Sequence, residues 1–122
     1  MNNDLTTSLI ARNNVLNNKY ALAELENNLQ LGGLRWENET IFTKQQVAQI
    51  LEITERTIDN YIASSGEELA KNGYRILKGK DLKNIRLAYV GETDFVDISP
   101  KAPSLGIFTF RAVLNLAMLV TE

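Results

Sequence analysis

Val15, Leu22 and Leu29 recur every seven residues, with Leu25 three positions after Leu22. That spacing predicts one long helix over residues 4–31, opened by Asp4 as N-cap and ended by Gly32-Gly33, where positive φ is tolerated. Leu5, Leu9 and Leu16 begin a second, adjacent stripe. Three Asn-Asn pairs between residues 13 and 28 work against this helix, because the short amide side chain competes for the backbone. The helix therefore needs a partner, either its own domain or a second chain. Next, LRWENETIF (34–42) predicts a small hairpin or strand with Asn38 at the turn and Trp36 and Phe42 in the core.

Residues 42–63, FTKQQVAQILEITERTIDNYIA, carry two short amphipathic runs around a four-residue gap. A helix-turn-helix needs a small residue at the crossing, apolar locking residues and a tight turn. Ala48, Val47 and Leu51 meet this in the first run, Ile53 fills the turn, Thr54 caps the second helix, and Ile58, Tyr61 and Ile62 form its buried side. Glu52 stands where glycine would carry positive φ without cost, which implies some strain or a slightly longer turn.

Farther on, YRIL and IRLAYV predict paired strands around a basic, glycine-containing connection. DFVDI and LGIFTF flank SPKAP, whose two prolines mark a loop. Thr109 then caps a helix over 110–120 with Val113, Leu114, Leu116, Ala117 and Val120 on its buried face. This helix meets no glycine, proline or basic residue at its end, so the chain is expected to continue beyond residue 122. The resulting expectation is an α+β chain: an N-terminal helix over 1–33 for dimerisation or partner binding, and a winged helix-turn-helix domain over 34–122.

Composition narrows the chemistry. The 122 residues include no cysteine and no histidine, which removes disulfides, thiolate nucleophiles, imidazole bases and nearly all zinc chemistry. Asp94 and Asp97 lie in a short apolar segment rather than a dense acidic loop, so no metal or other cofactor is expected. The serines have no histidine to activate them and no glycine-rich phosphate loop occurs, so catalysis is not expected. With no signal pattern and no long apolar run, a cytoplasmic protein without membrane contact is expected.

Net charge is −2, so DNA binding requires a local concentration of cations. Residues 66–90 supply one: Lys71, Arg75, Lys78, Lys80, Lys83 and Arg86 outnumber Glu67, Glu68 and Asp81. On the second helix of the pair, Glu55, Arg56, Thr57, Asp59 and Asn60 point outward and are chemically able to read bases: Arg matches guanine, Asn adenine, and a carboxylate the cytosine amino group. The same residues also suit a merely solvated face. Phosphate contacts fall to Lys44, Arg75, Lys78, Lys80, Lys83 and Arg86, most of them on the expected wing, where lysines also serve to solubilise an edge strand.

ETIFTKQQVAQILEITERTIDNYI, then GEEL at 66–69, a basic hairpin and FTFRAVLNLAML together resemble the amino-terminal DNA-binding domains of RhuM-type virulence proteins, and more loosely phage antirepressor and Bro-type regulators. The resemblance covers roughly residues 36–122. It implies a bacterial or phage-derived transcriptional regulator, sometimes encoded beside toxin genes, hence an antitoxin-like role with a toxin as possible partner. The expectation is a sequence-specific binder of double-stranded DNA acting as a homodimer through the N-terminal helix. The competing reading is a protein-protein interaction module that uses the same winged helix and N-terminal helix without touching DNA.

Overall fold

The computed structural model describes residues 8–29, 31–88 and 104–120. The N-terminal segment is two helices, α1 (Leu9–Leu16) and α2 (Lys19–Leu29), in place of the single helix expected. Asn17 and Asn18 break it: Asn17 is the C-cap of α1, and the Asn18 side chain accepts from the Ala21 N–H at 3.0 Å to start α2. A capping amide placed between two helical runs gives each an end, and the apolar spacing reads through it. Ser8 caps α1, and Asp4 lies outside the described residues.

The hairpin forms as expected. β1 (Leu34–Trp36) pairs with β2 (Glu39–Thr43), and the two-residue turn places Glu37 and Asn38 at φ 53° and 67°, the left-handed pair that matches strand twist. Before it, Gly33 at φ 79° runs so close to Phe42 that a Cβ would stand 2.8 Å from the ring. Thr43 closes β2 and caps α3 (Lys44–Leu51) in a capping box with Gln46. After the turn comes α4 (Glu55–Lys71), kinked at Ser65, where Ser64-Ser65-Gly66 supplies poor helix formers.

The strand β3 (Arg75–Lys78) is where YRIL places it, but its expected partner is not a strand. Residues 79–88 form α5 (Gly79–Ala88), so IRLAYV is helical as far as Ala88, and Tyr89 and Val90 lie outside the described residues, as do DFVDI and SPKAP. Leu82 and Ile85, three apart, are both buried, and that helical spacing prevails over the alternation of Ile85, Arg86 and Leu87. β3 pairs instead with β4 (Ser104–Thr109), giving a four-stranded antiparallel sheet in the order β1-β2-β4-β3. Thr109 caps α6 (Phe110–Leu119), as expected.

Alternation along β2 and β4 divides the interior in two. Phe42 and Phe108, cross-strand partners, point with Val47, Ile58, Leu69, Val113 and Leu116 into the larger core beneath α3, α4 and α6. Ile41 and Ile107 point to the opposite face, where Leu82 and Ile85 of α5 cover them. Trp36 is half-buried at the margin of this second core, and Leu114 and Ala117 of α6 with its C-cap Val120 are half-buried around a fully buried Val113 and Leu116. Each large side chain so enclosed contributes about 1.5–3 kcal/mol. The architecture is mixed α+β, and among the described residues no helix is long and apolar enough to cross a membrane.

Candidate nucleic-acid interface

α3 and α4 meet through the turn Glu52-Ile53-Thr54. Glu52 adopts φ 58°, ψ 45°, a left-handed conformation, so of the two expectations it is strain that holds, and the Ile53 N–H donates to the Ala48 carbonyl at 3.0 Å. Such a conformation costs a residue with a Cβ about 1–2 kcal/mol. The Thr54 hydroxyl accepts from the Thr57 N–H at 3.1 Å and also bonds the Thr57 hydroxyl at 3.0 Å, which fixes the first turn of α4. Ile58 is fully buried, while Glu55, Arg56, Asp59 and Asn60 stand exposed and Thr57 is half-buried.

Of the five residues assigned to base reading, two are thus already engaged within the fold. Thr57 works in the cap, and Asp59 accepts from Lys44 Nζ at 2.8 Å across the two helices. That ion pair is exposed, with the two side chains 36% and 55% accessible, so it is open to exchange with another anion. Arg56 and Asn60 are the outward pair with the donor groups that purine edges require.

The phosphate candidates separate by sheet face. Tyr74 and Ile76 face α3 and α4 and, with Lys44, Glu55, Gly106 and Phe108, line a cleft of about 330 Å³ between the helix pair and the sheet. Tyr74 packs against Phe108 with ring centroids 4.8 Å apart, and burial raises its phenol pKa above the ordinary value. Strand alternation puts Lys78 on this face too. Arg75 points the other way, bonding Glu37 at 3.1 Å and lying 5.3 Å from the Trp36 ring centroid. Lys80 and Lys83 are exposed on α5 and Arg86 is half-buried there, so a helix behind the sheet, not a wing hairpin, carries these three.

A second polar constellation escaped the sequence reading. Glu68, on α4 beyond the kink, takes Nε of Arg12 on Oε2 at 2.6 Å and Nη2 on Oε1 at 2.7 Å, a bidentate pair with side chains only 8% and 15% accessible. Asn115 of α6 donates to Glu68 Oε2 at 2.7 Å and accepts from Asn72 at 2.9 Å. Arg111 donates to Asn72 Oδ1 at 2.7 Å and reaches the Leu16 carbonyl and the Asn17 side chain at the end of α1. The Arg12 guanidinium, helped by Asn115, holds the Glu68 carboxyl below the usual range against the opposing effect of desolvation, and Glu68 in turn raises Arg12. Arg111 and Asn115, four apart in an otherwise apolar helix, were the one signal of this network in the sequence.

Comparison with protein-family models, curated proteins and solved structures yields no match for this chain.

Proposed function

We propose that the chain is a sequence-specific binder of double-stranded DNA, acting in transcriptional regulation, with the first turns of α4 entering the major groove. The observation that carries this reading is the α3–α4 turn: left-handed Glu52, capping Thr54 and buried Ile58 leave Arg56 and Asn60 outward on the first turns of α4. A strand runs directly into the first helix of the pair, and β2, β4 and β3 lie side by side behind it. In a winged-helix reading the β3–β4 pair takes the place of the wing, with α5 inside its connection. Lys44, paired with Asp59 of α4, and Lys78, on the sheet face of Tyr74 and Ile76, are the proposed phosphate contacts, while Lys80 and Lys83 stand on α5 behind the sheet.

Glu55 and Asp59 oppose an anionic duplex, so the helix itself does not hold DNA by charge. The Lys44–Asp59 pair gives this a specific form: near a phosphate, Lys44 exchanges its partner and Asp59 turns toward the groove, where it can accept from a cytosine amino group. The motif resemblance of residues 36–122 to RhuM-type and phage antirepressor domains extends this reading to an antitoxin-like role, although no family model matches the chain. An interaction module without DNA contact is the second reading, favoured by that same acidic character of α4.

Fluorescence anisotropy with the purified chain, on random duplexes and duplexes from upstream of its own gene at two salt concentrations, separates the two. Tight binding to one duplex with a steep loss in added salt is expected. Flat traces at both salt concentrations overturn the DNA reading.

A further inference from the structure

α2 is attached to the body unlike any other helix. None of its residues is fully buried, Leu25 and Leu29 are 38% and 49% accessible, and Leu22 is only half-buried against the larger core. Between it and the body lies a gap of about 280 Å³, with Lys19, Leu22 and Glu26 on one wall and Glu39, Phe110 and Arg111 on the other. Leu22, Leu25 and Leu29 follow the a, d, a spacing of a paired helix. In that lettering Lys19 and Glu26 both occupy position e, while the g positions hold Ala21 and Asn28.

The charges are placed badly for a solitary helix. Lys19 stands at the positive N-terminal end of the α2 dipole and Glu26 in its last turn, each at the end of like sign. Neither side chain has an ion-pair partner among the described residues. A parallel partner would pair e with g, where there is no charge to meet. An antiparallel copy of α2 pairs e with e: when Leu22 of one chain packs on Leu25 of the other, each Lys19 meets the other chain's Glu26 and each charge moves beside the end of opposite sign.

We infer that α2 docks antiparallel on the α2 of a second copy of this chain, through Leu22, Leu25 and two Lys19–Glu26 pairs. This makes specific the homodimer expected from the N-terminal segment. It requires no DNA and is tested without it, so this inference and the DNA reading can each fail alone. Two helices of eleven residues, about 16 Å long, make a modest interface, and association is reversible.

Sedimentation equilibrium of the full chain from micromolar to sub-millimolar concentration, at low salt, is the test. The wild type forms dimers. Lys19→Glu and Glu26→Lys each place like charges at both contacts and weaken association about tenfold or more. The double variant K19E/E26K, and an equimolar mixture of the two single variants, recover it. Leu25→Glu abolishes dimers while thermal melting shows the fold intact, since Leu25 is accessible. A wild type that stays monomeric overturns the inference and leaves the stripe to a different protein. Dimers that ignore the charge reversals, or fail to recover in the double variant, overturn the antiparallel arrangement.

Discussion

The two halves of α4 use polar residues in opposite ways. Before the Ser65 kink, Arg56 and Asn60 stand in solvent with their hydrogen-bonding capacity directed outward. Beyond it, Glu68 and Asn72 are spent within the fold, holding α1 and α6 through Arg12, Asn115 and Arg111. One helix thus separates an outward polar half, the reader in the proposed function, from an anchoring half. The kink marks the border, and residues of similar chemistry on either side should respond very differently to substitution.

The largest expected effect lies in the anchoring half. Glu68→Ala leaves the Arg12 guanidinium enclosed without its bidentate partner, and removing one member of such a pair costs about 3–5 kcal/mol. Asn60→Ala, with no partner to orphan, should stay within about 0.5 kcal/mol of the wild type. Urea denaturation of both variants checks this, and equal midpoints would break the division. Acid gives the same contrast its sign. Because the folded Glu68 pKa is depressed, its contribution is fully present above the ordinary carboxylate value of about 4.3 and disappears as pH falls through the lowered folded value. Glu68→Gln should therefore lag the wild type near neutrality and approach it in strong acid. A constant gap between their urea midpoints across that range would show that the carboxylate charge is not what Arg12 holds.

These two halves also differ in how far the sequence disclosed them. The turn and caps of the outward half were legible because their determinants are local: Thr54, Ile58 and the turn lie within seven residues of Glu52, and the same holds for the Asn38 turn and the Thr109 cap. The anchorage was not, since Glu68 meets residues 56 and 47 positions away that only the tertiary fold brings together. Nonlocality also explains the strand assigned to IRLAYV. The partner of β3 is β4, separated from it by the 25 residues 79–103, and the short alternation of Ile85, Arg86 and Leu87 fits a strand as well as a helix whose anchors are Leu82 and Ile85. In the N-terminal segment the fault was different: the heptad stripe outweighed Asn17-Asn18, whose capping preference decided the break.

On the recognition side, the DNA proposal predicts smaller, base-dependent effects. Asn60→Ala or Arg56→Ala should cost about 1–3 kcal/mol of binding at a single base position. Lys78→Ala should instead weaken all duplexes alike and lower the salt slope by about one. Anisotropy titrations on the preferred duplex and its point variants read both. If Asn60→Ala weakened random and preferred duplexes equally, the outward half of α4 would be a phosphate contact rather than a reader.

The smallest effect tests the hinge that aims this half of the helix. Glu52 holds a left-handed conformation in which its Cβ is a liability, so Glu52→Gly should stabilise the fold by roughly 0.5–1 kcal/mol, the relief being partly offset by the greater freedom of glycine in the unfolded chain. The gain should appear in the urea midpoint without a change in the slope of the transition, because the surface exposed on unfolding is the same. DNA affinity should be unaffected if Glu52 only shapes the turn, since the variant keeps the angle that directs Arg56 and Asn60. A stabilised variant that loses binding would mean that the glutamate side chain, exposed beside the start of α4, itself contributes to recognition and that the reading surface begins before Thr54.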